Sequence, residues 1–222
     1  MKTHLRSLSH HRRILVAPAA AGNWWDPNGE SLDVWAAYQP KGAADLATSY
    51  TDLSGNSHDA GLGVAPDWDL TNGWKFNGST HYLTTAFVPS TDQSQCAIVQ
   101  FTNLTNTGAL FGYVAGSSMS FGIRPDTGGN KVHYTNGLGC LVVPALSAGN
   151  LAVSGTQAYR NGVPEGDPIG IDPDNAGPIY IGARNQGIPY WYCAAYIQAL
   201  ALYGSVLTQA QVQAVQTAMA AL

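Results

Sequence analysis

From Val34 to Tyr203 the chain is a succession of short β-favouring runs, broken about every ten residues by Gly, Asn, Pro or Asp, and this punctuation constrains the fold most. A helix would need apolar residues at steps of three and four, and that period is absent there. Expected strands are Val34 to Tyr38, Gly73 to Phe76, His81 to Phe87, Cys96 to Leu104, Ala109 to Val114, Ser118 to Arg124, Lys131 to Tyr134, Leu141 to Leu146, Asn150 to Ser154, Gln157 to Arg160, Ile179 to Ala183 and Ala194 to Tyr203. That many short strands suffice for two packed sheets. Asn161-Gly162 and Asn77-Gly78 supply hairpin turns, because both residue types accept positive φ, and Asp126 to Asn130 closes the run before it. Asp59 to Thr71 and Pro164 to Pro178 read as long surface loops. The one helical pattern comes last: Thr208 and Gln211 form a capping-box pair, and Val212, Val215, Met219 and Leu222 then share a face.

Charge divides the chain in two. Only 11% of the residues are charged, against roughly 25% in ordinary soluble domains, so the body should interact through neutral polar groups. Residues 1 to 13 nevertheless hold Lys2, Arg6, Arg12 and Arg13 with no acid, leaving six basic against fourteen acidic residues in the remainder. Residues 1–33 therefore read as a basic and aromatic arm, with Arg6, Arg12, Arg13, Trp24 and Trp25 as its assembly contacts, and residues 34–222 as one domain. Basic arms bind nucleic acid or an acidic protein surface, and four charges are too few to decide between them; nucleic acid is the less expected, and burial of the tryptophan-rich arm between symmetric copies is expected, giving a homo-oligomer. The apolar stretch Ile14 to Ala21 is too short for membrane insertion, which needs about 20 residues. Its small residues do fit a signal-peptide cleavage site, which keeps open a secreted bacterial lectin or glycan-active protein. Cys96, Cys140 and Cys193 lack metal-like spacing and read as core residues.

Three stretches together resemble the laminin-G-like and concanavalin-A-like lectin and glucanase jelly-roll superfamily. Asp52-Leu53-Ser54-Gly55-Asn56 is similar to its D-x-S-G-N opening, and Phe76-Asn77-Gly78 running to Tyr82 is similar to its F-D/N-G-x-x-x-Y hairpin. Tyr180-Ile181-Gly182-Ala183-Arg184-Asn185, then Ala194 to Tyr203, then Leu207 to Val212 look like its closing strands. The resemblance covers about residues 34 to 222 and implies an all-β, two-sheet antiparallel jelly-roll sandwich with an extended N-terminal arm and a short C-terminal helix. Ala36 to Ala44 and Ala65-Pro66-Asp67-Trp68 look like modules of tail-fibre and surface proteins of tailed bacteriophages. That form implies a virion-surface protein whose arm engages other virion subunits and whose sandwich adheres to a host glycan, or else decorates the capsid or tail.

The residues bearing chemistry point to binding. Glycosidases of the resembled superfamily use an E-x-D-x-x-E strand, whose alternation puts the acids on one face. This chain has two glutamates, Glu30 and Glu165, and neither lies in that pattern; no Gly-x-Ser-x-Gly elbow is present, so no enzyme is expected. Stacking aromatics and planar hydrogen-bonding groups suit sugars, and Arg184, Asn185, Tyr190, Trp191 and Tyr192 combine both in one turn-rich segment, with Trp68 as a second candidate. Alternation alone leaves it open whether Trp191 faces ligand or core. His58, His81 and His133 read as strand-end or loop residues. Calcium is the superfamily's usual cofactor, and Asp52, Asn56 and Asp59 crowd one loop, with Asp172 to Asn175 a further oxygen-rich turn. His81 stands where calcium-binding relatives place an acid, so both clusters read first as turns and no cofactor is expected.

Overall fold

A computed structural model describes residues 23–115, 118–128, 130–136, 139–167 and 177–222. In chain order the strands are β1 (Val34–Tyr38), β2 (Gly61–Val64), β3 (Asp67–Asp69), β4 (Gly73–Lys75), β5 (Tyr82–Thr84), β6 (Cys96–Thr102), β7 (Phe111–Ala115), β8 (Ser118–Asp126), β9 (Lys131–Asn136), β10 (Gly139–Pro144), β11 (Gly149–Ser154), β12 (Gln157–Arg160), β13 (Val163–Gly166), β14 (Tyr180–Ile181), β15 (Arg184–Asn185), β16 (Pro189–Tyr190) and β17 (Tyr196–Tyr203), followed by helix α1 (Gln209–Ala220). One sheet runs β13-β12-β11-β6-β17-β4-β3, with β1 also on β17; the other runs β10-β9-β8-β7-β14-β5-β2, with β15 on β7 and β16 on β15. Pairing is antiparallel except between β15 and β7. The expected all-β antiparallel sandwich with a short C-terminal helix is the observed fold. Among the described residues no helix is long and apolar enough to cross a membrane.

The main core lies between the sheets, where alternate residues of each strand meet. Trp74, Phe101, Phe111, Phe121, Tyr134, Leu151 and Ile197 are all buried there. A second apolar layer covers the outside of the first sheet: Ile98, Ala199, Ala201 and Tyr203 turn outward and are buried by Val212, Val215 and Met219 of α1 and by Trp24. The capping box read from Thr208 and Gln211 is formed. Cys96 lies in this outer layer and Cys193 in the main core; both are free thiols pushed up to about 12 by burial.

Two sequence expectations are corrected here. Asp59 to Thr71 is not a loop throughout, because β2 pairs with β5 and β3 with β4. The glycines of β2 stand at close approach to β5: a Cβ at Gly61 would lie 2.4 Å from the Thr84 hydroxyl, and one at Gly63 2.3 Å from the Tyr82 ring. Pro164 to Pro178 likewise begins inside β13, where Glu165 meets Arg160 at 2.8 Å and accepts a 2.6 Å hydrogen bond from Tyr134 of the opposite sheet. Residues 168–176, including Asp172 to Asn175, lie outside the described residues.

The arm also changes its boundary. Arg6, Arg12 and Arg13 lie outside the described residues. Residues 23–33, by contrast, are built onto the body: Trp24 is buried in the outer layer, the Tyr203 hydroxyl donates to the Trp25 carbonyl at 2.9 Å, and Gln211 donates to Glu30 at 2.7 Å. Trp24 and Trp25, expected as contacts to a partner, pack edge to face with centroids 5.4 Å apart against their own sheet and helix.

Candidate functional site

The segment carrying the sugar-binding candidates folds as a short hairpin. Asn185 makes its turn: its side-chain oxygen accepts from the Gly187 N–H at 2.9 Å, and its amide donates to the Pro178 carbonyl at 2.8 Å. Gly187 takes φ +80°, a conformation glycine adopts without a Cβ penalty. Asn185 is thereby buried and engaged in structure rather than offered to a ligand. After Tyr190 the chain turns sharply through Trp191, which holds φ +49°, an uncommon left-handed backbone for a bulky residue. The Ala109 N–H accepts this geometry by donating to the Trp191 carbonyl at 2.8 Å, and Asn106 donates to the Tyr192 carbonyl at 3.0 Å.

Trp191 is clamped between two arginines. The Arg124 and Arg184 guanidinium carbons lie 3.8 and 3.6 Å from its ring centroid. At a contact distance of about 3.5 Å each group sits almost directly over the ring, so the two occupy opposite faces. The role expected of Trp191, stacking on a sugar ring, is corrected by this arrangement: both faces are taken. Its indole instead holds two like charges apart and fixes their planes. Arg184 is 6% exposed, donates to Gln186 at 2.8 Å, and its Nε has no hydrogen-bond partner among the described residues. Burial, and then the neighbouring Arg124 charge, lowers the Arg184 pKa. Arg124 stands on β8 opposite His133 of β9, and desolvation followed by the Arg124 charge holds the His133 pKa down.

The accessible aromatic is Tyr190. It is 49% exposed, 5.0 Å from the Arg184 guanidinium and 5.9 Å from the Trp191 ring, and Ile188 at the hairpin tip is 68% exposed. Tyr192 turns the other way, within 6.4 Å of Tyr82, which in turn lies 5.0 Å from Tyr180. The whole forms a positively charged, partly aromatic patch beside the second sheet, able to stack a ring on Tyr190 and to attract an anionic group toward the arginines.

The remaining candidates fall elsewhere. Trp68, partly buried, packs against the main core and donates to the Pro40 carbonyl at 2.8 Å, so it serves the fold. Asp52 is a loop hub: its carboxylate accepts from the N–H groups of Ala37, Ser54 and His58 and from the Ser54 hydroxyl. Asp59 accepts from the Asp52 N–H, and Asn56 donates to the Val34 carbonyl. The Asp52 and Asp59 carboxylates thus serve the loop's own hydrogen bonds, and among the described residues no three His, Cys, Asp or Glu side chains are grouped to hold a metal. His58 stacks on Trp35 at 3.8 Å with its Nδ1 2.6 Å from the Trp35 carbonyl, and His81 lies in the turn that Asn77 organises. Sequence reasoning missed Arg124, which lies sixty residues from the hairpin; only the sheet register brings it there.

No protein-family model matches the chain, and no curated protein matches it in sequence. Solved structures do share its fold. Trypanosoma rangeli sialidase superposes on 83% of this chain with a TM-score of 0.60 at 14% identity, over 33% of its own length. The botulinum neurotoxin serotype D binding domain matches with a TM-score of 0.57 at 11% identity, over 83% of this chain and 51% of its own, and the type G receptor binding domain with 0.54 at 11%, over 82% and 50%. At these identities the likeness establishes the two-sheet β-sandwich fold and no more. The chain spans about a third of the sialidase it matches. The expectation that the chain is not an enzyme is corrected by this comparison: the fold recurs within an enzyme, so the missing E-x-D-x-x-E strand does not exclude catalysis.

Proposed function

We propose that this chain is a lectin-like module of a tailed-bacteriophage surface protein, and that it adheres to a host glycan bearing an acidic group. The observation that carries the reading is the Arg124–Trp191–Arg184 clamp with Tyr190 half exposed beside it, two cations next to an accessible ring in a chain poor in charge. Clamping removes rotamer freedom from both guanidinium groups before a ligand arrives, which lowers the entropic cost of binding. The phage setting rests on the sequence resemblance, and the basic segment with Arg6, Arg12 and Arg13 is its proposed contact to other virion subunits in a homo-oligomer.

A glycan array spanning sialylated, sulfated, uronate-containing and neutral glycans tests the reading. Binding should concentrate on the acidic members, weaken as salt rises, and fall with Tyr190→Ala and Arg124→Gln. No binding to any glycan would turn the assignment toward a decoration protein, and binding indifferent to both substitutions would move the site elsewhere.

A further inference from the structure

The first sheet carries a second recognition surface. Helix α1 and Trp24 cover only part of its outer face. Beyond them, the register sets Asp67 of β3 against Lys75 of β4, Lys75 against Tyr196 of β17, and Tyr196 against Thr102 of β6. Directly paired residues point to the same side of a sheet, so these four side chains form one row across four strands. A cleft of about 520 Å³ opens along that row, within the range of about 300–1,000 Å³ usual for small-molecule sites.

Opposite charges facing each other across a strand pair ordinarily close an ion pair. Asp67 and Lys75 do not, and among the described residues neither makes a side-chain hydrogen bond; the same holds for Asn103 at the cleft wall. Asn77, also at the wall, is engaged by the N–H groups of Ser79, Thr80 and His81. The floor is small and stiff. Ala194 and Ala195 leave room above it, and their backbone is tied on both sides: Phe76 donates to the Ala195 carbonyl at 3.0 Å, Thr105 to the Ala194 carbonyl at 3.0 Å, and the Ala194 N–H donates to Asn106 at 2.6 Å.

A carboxylate, an ammonium and an amide converging on one pre-formed cleft, with a half-buried phenol ring as its side, suit a ligand that offers several hydroxyl groups. Each hydroxyl can donate to Asp67 and accept from Lys75 at once. The balanced charges argue against a strongly ionic ligand. We propose that this cleft binds a neutral, polyhydroxylated ligand of monosaccharide size, with Asp67 and Lys75 holding adjacent hydroxyls and Tyr196 supplying the apolar contact. This site is separate from the arginine–tryptophan patch, which is built from the other sheet.

Amide-resolved NMR titration of the full chain with methyl α-D-glucopyranoside, methyl α-D-mannopyranoside and methyl β-D-galactopyranoside tests it. At least one should shift the amides of Lys75, Asn103, Thr105 and Ala194 to Tyr196 saturably, with the millimolar affinity usual for a single small ligand. Asp67→Asn and Lys75→Met should each weaken it about tenfold, the loss expected for a hydrogen bond to a charged group, whereas Tyr190→Ala should leave it unchanged. Both positions are exposed, so the variants should melt with the parent. The proposal is overturned if none of the three glycosides gives a saturable shift, if the shifts cluster at residues 184–192, or if neither cleft substitution weakens them.

Discussion

Trp191 couples backbone strain to electrostatics at a single position. Its left-handed φ costs energy that a glycine would not, while its ring screens Arg124 from Arg184. Trp191→Ala should therefore destabilise the fold by about 2–3 kcal/mol, losing both stacking contacts while keeping the strain. Trp191→Gly loses the same contacts but relieves the backbone, so it should be about 1 kcal/mol more stable than the alanine variant. Urea denaturation of the pair checks this, and an alanine variant at least as stable as the glycine one would mean that φ is not held. Asp52 makes a second residue-scale case. Burial alone would raise its pKa, but the hydrogen bonds from Ala37, Ser54 and His58 outweigh it and lower the value. A carboxyl depressed in the folded state contributes stability above its unfolded pKa, about 4, and loses it as pH falls through the folded value. Asp52→Asn should cost about 2 kcal/mol at pH 7, with the gap to the parent closing below about pH 4 in denaturation series across pH. The sequence displayed the residue types of both clusters but not their roles. Asp52 and Asp59 look like oxygen ligands until the backbone N–H groups that donate to them are seen, and Asn56 until its amide is found donating to the Val34 carbonyl. Trp191 looks like a sugar platform until Arg124 arrives from another strand.

Strands were legible where turn residues punctuate apolar runs, as in β12 before Asn161-Gly162. They were hidden where glycine serves packing rather than turning, as in β2, and where proline and charge stand at a sheet edge, as in β13. The C-terminal helix is the reverse case, announced by its capping box and its apolar face. Cys96-Ala97-Ile98-Val99 and Ala199-Leu200-Ala201-Leu202 are apolar at every position, which means that both faces of β6 and β17 are buried and that something must cover the outer one. Helix α1 is that cover. Thr208→Ala removes the hydroxyl that accepts from the Gln211 N–H and should cost about 1 kcal/mol. Met219→Ala opens a cavity against the sheet and should cost about 2–5 kcal/mol. Thermal unfolding should report both, and an unchanged midpoint for Met219→Ala would show that the helix does not hold the outer layer closed.

For the molecule as a whole, the decisive boundary lies between residues 22 and 33. Charge asymmetry marked a basic arm, and the tryptophan pair beside it looked like a continuation. Yet Trp24 is buried in the same apolar layer as α1, Ile98 and Tyr203, and the Asp33 carbonyl accepts from the Gly204 N–H at 2.9 Å just before β1 begins. The segment from 23 to 33 thus seals the same apolar layer as the helix, from the other end of the chain. A chain starting at residue 23 and one starting at residue 34 should differ sharply. Losing Trp24 uncovers a buried indole's seat and should cost about 3–5 kcal/mol. At about 2–4 °C per kcal/mol for a domain of this size, the shorter chain should melt about 6–20 °C below the longer one, and its exposed outer layer should bind a hydrophobic dye. Equal melting temperatures would return the tryptophans to the arm and to a partner. A large gap would assign them to the body, leaving Arg6, Arg12 and Arg13 as the proposed contacts to other subunits.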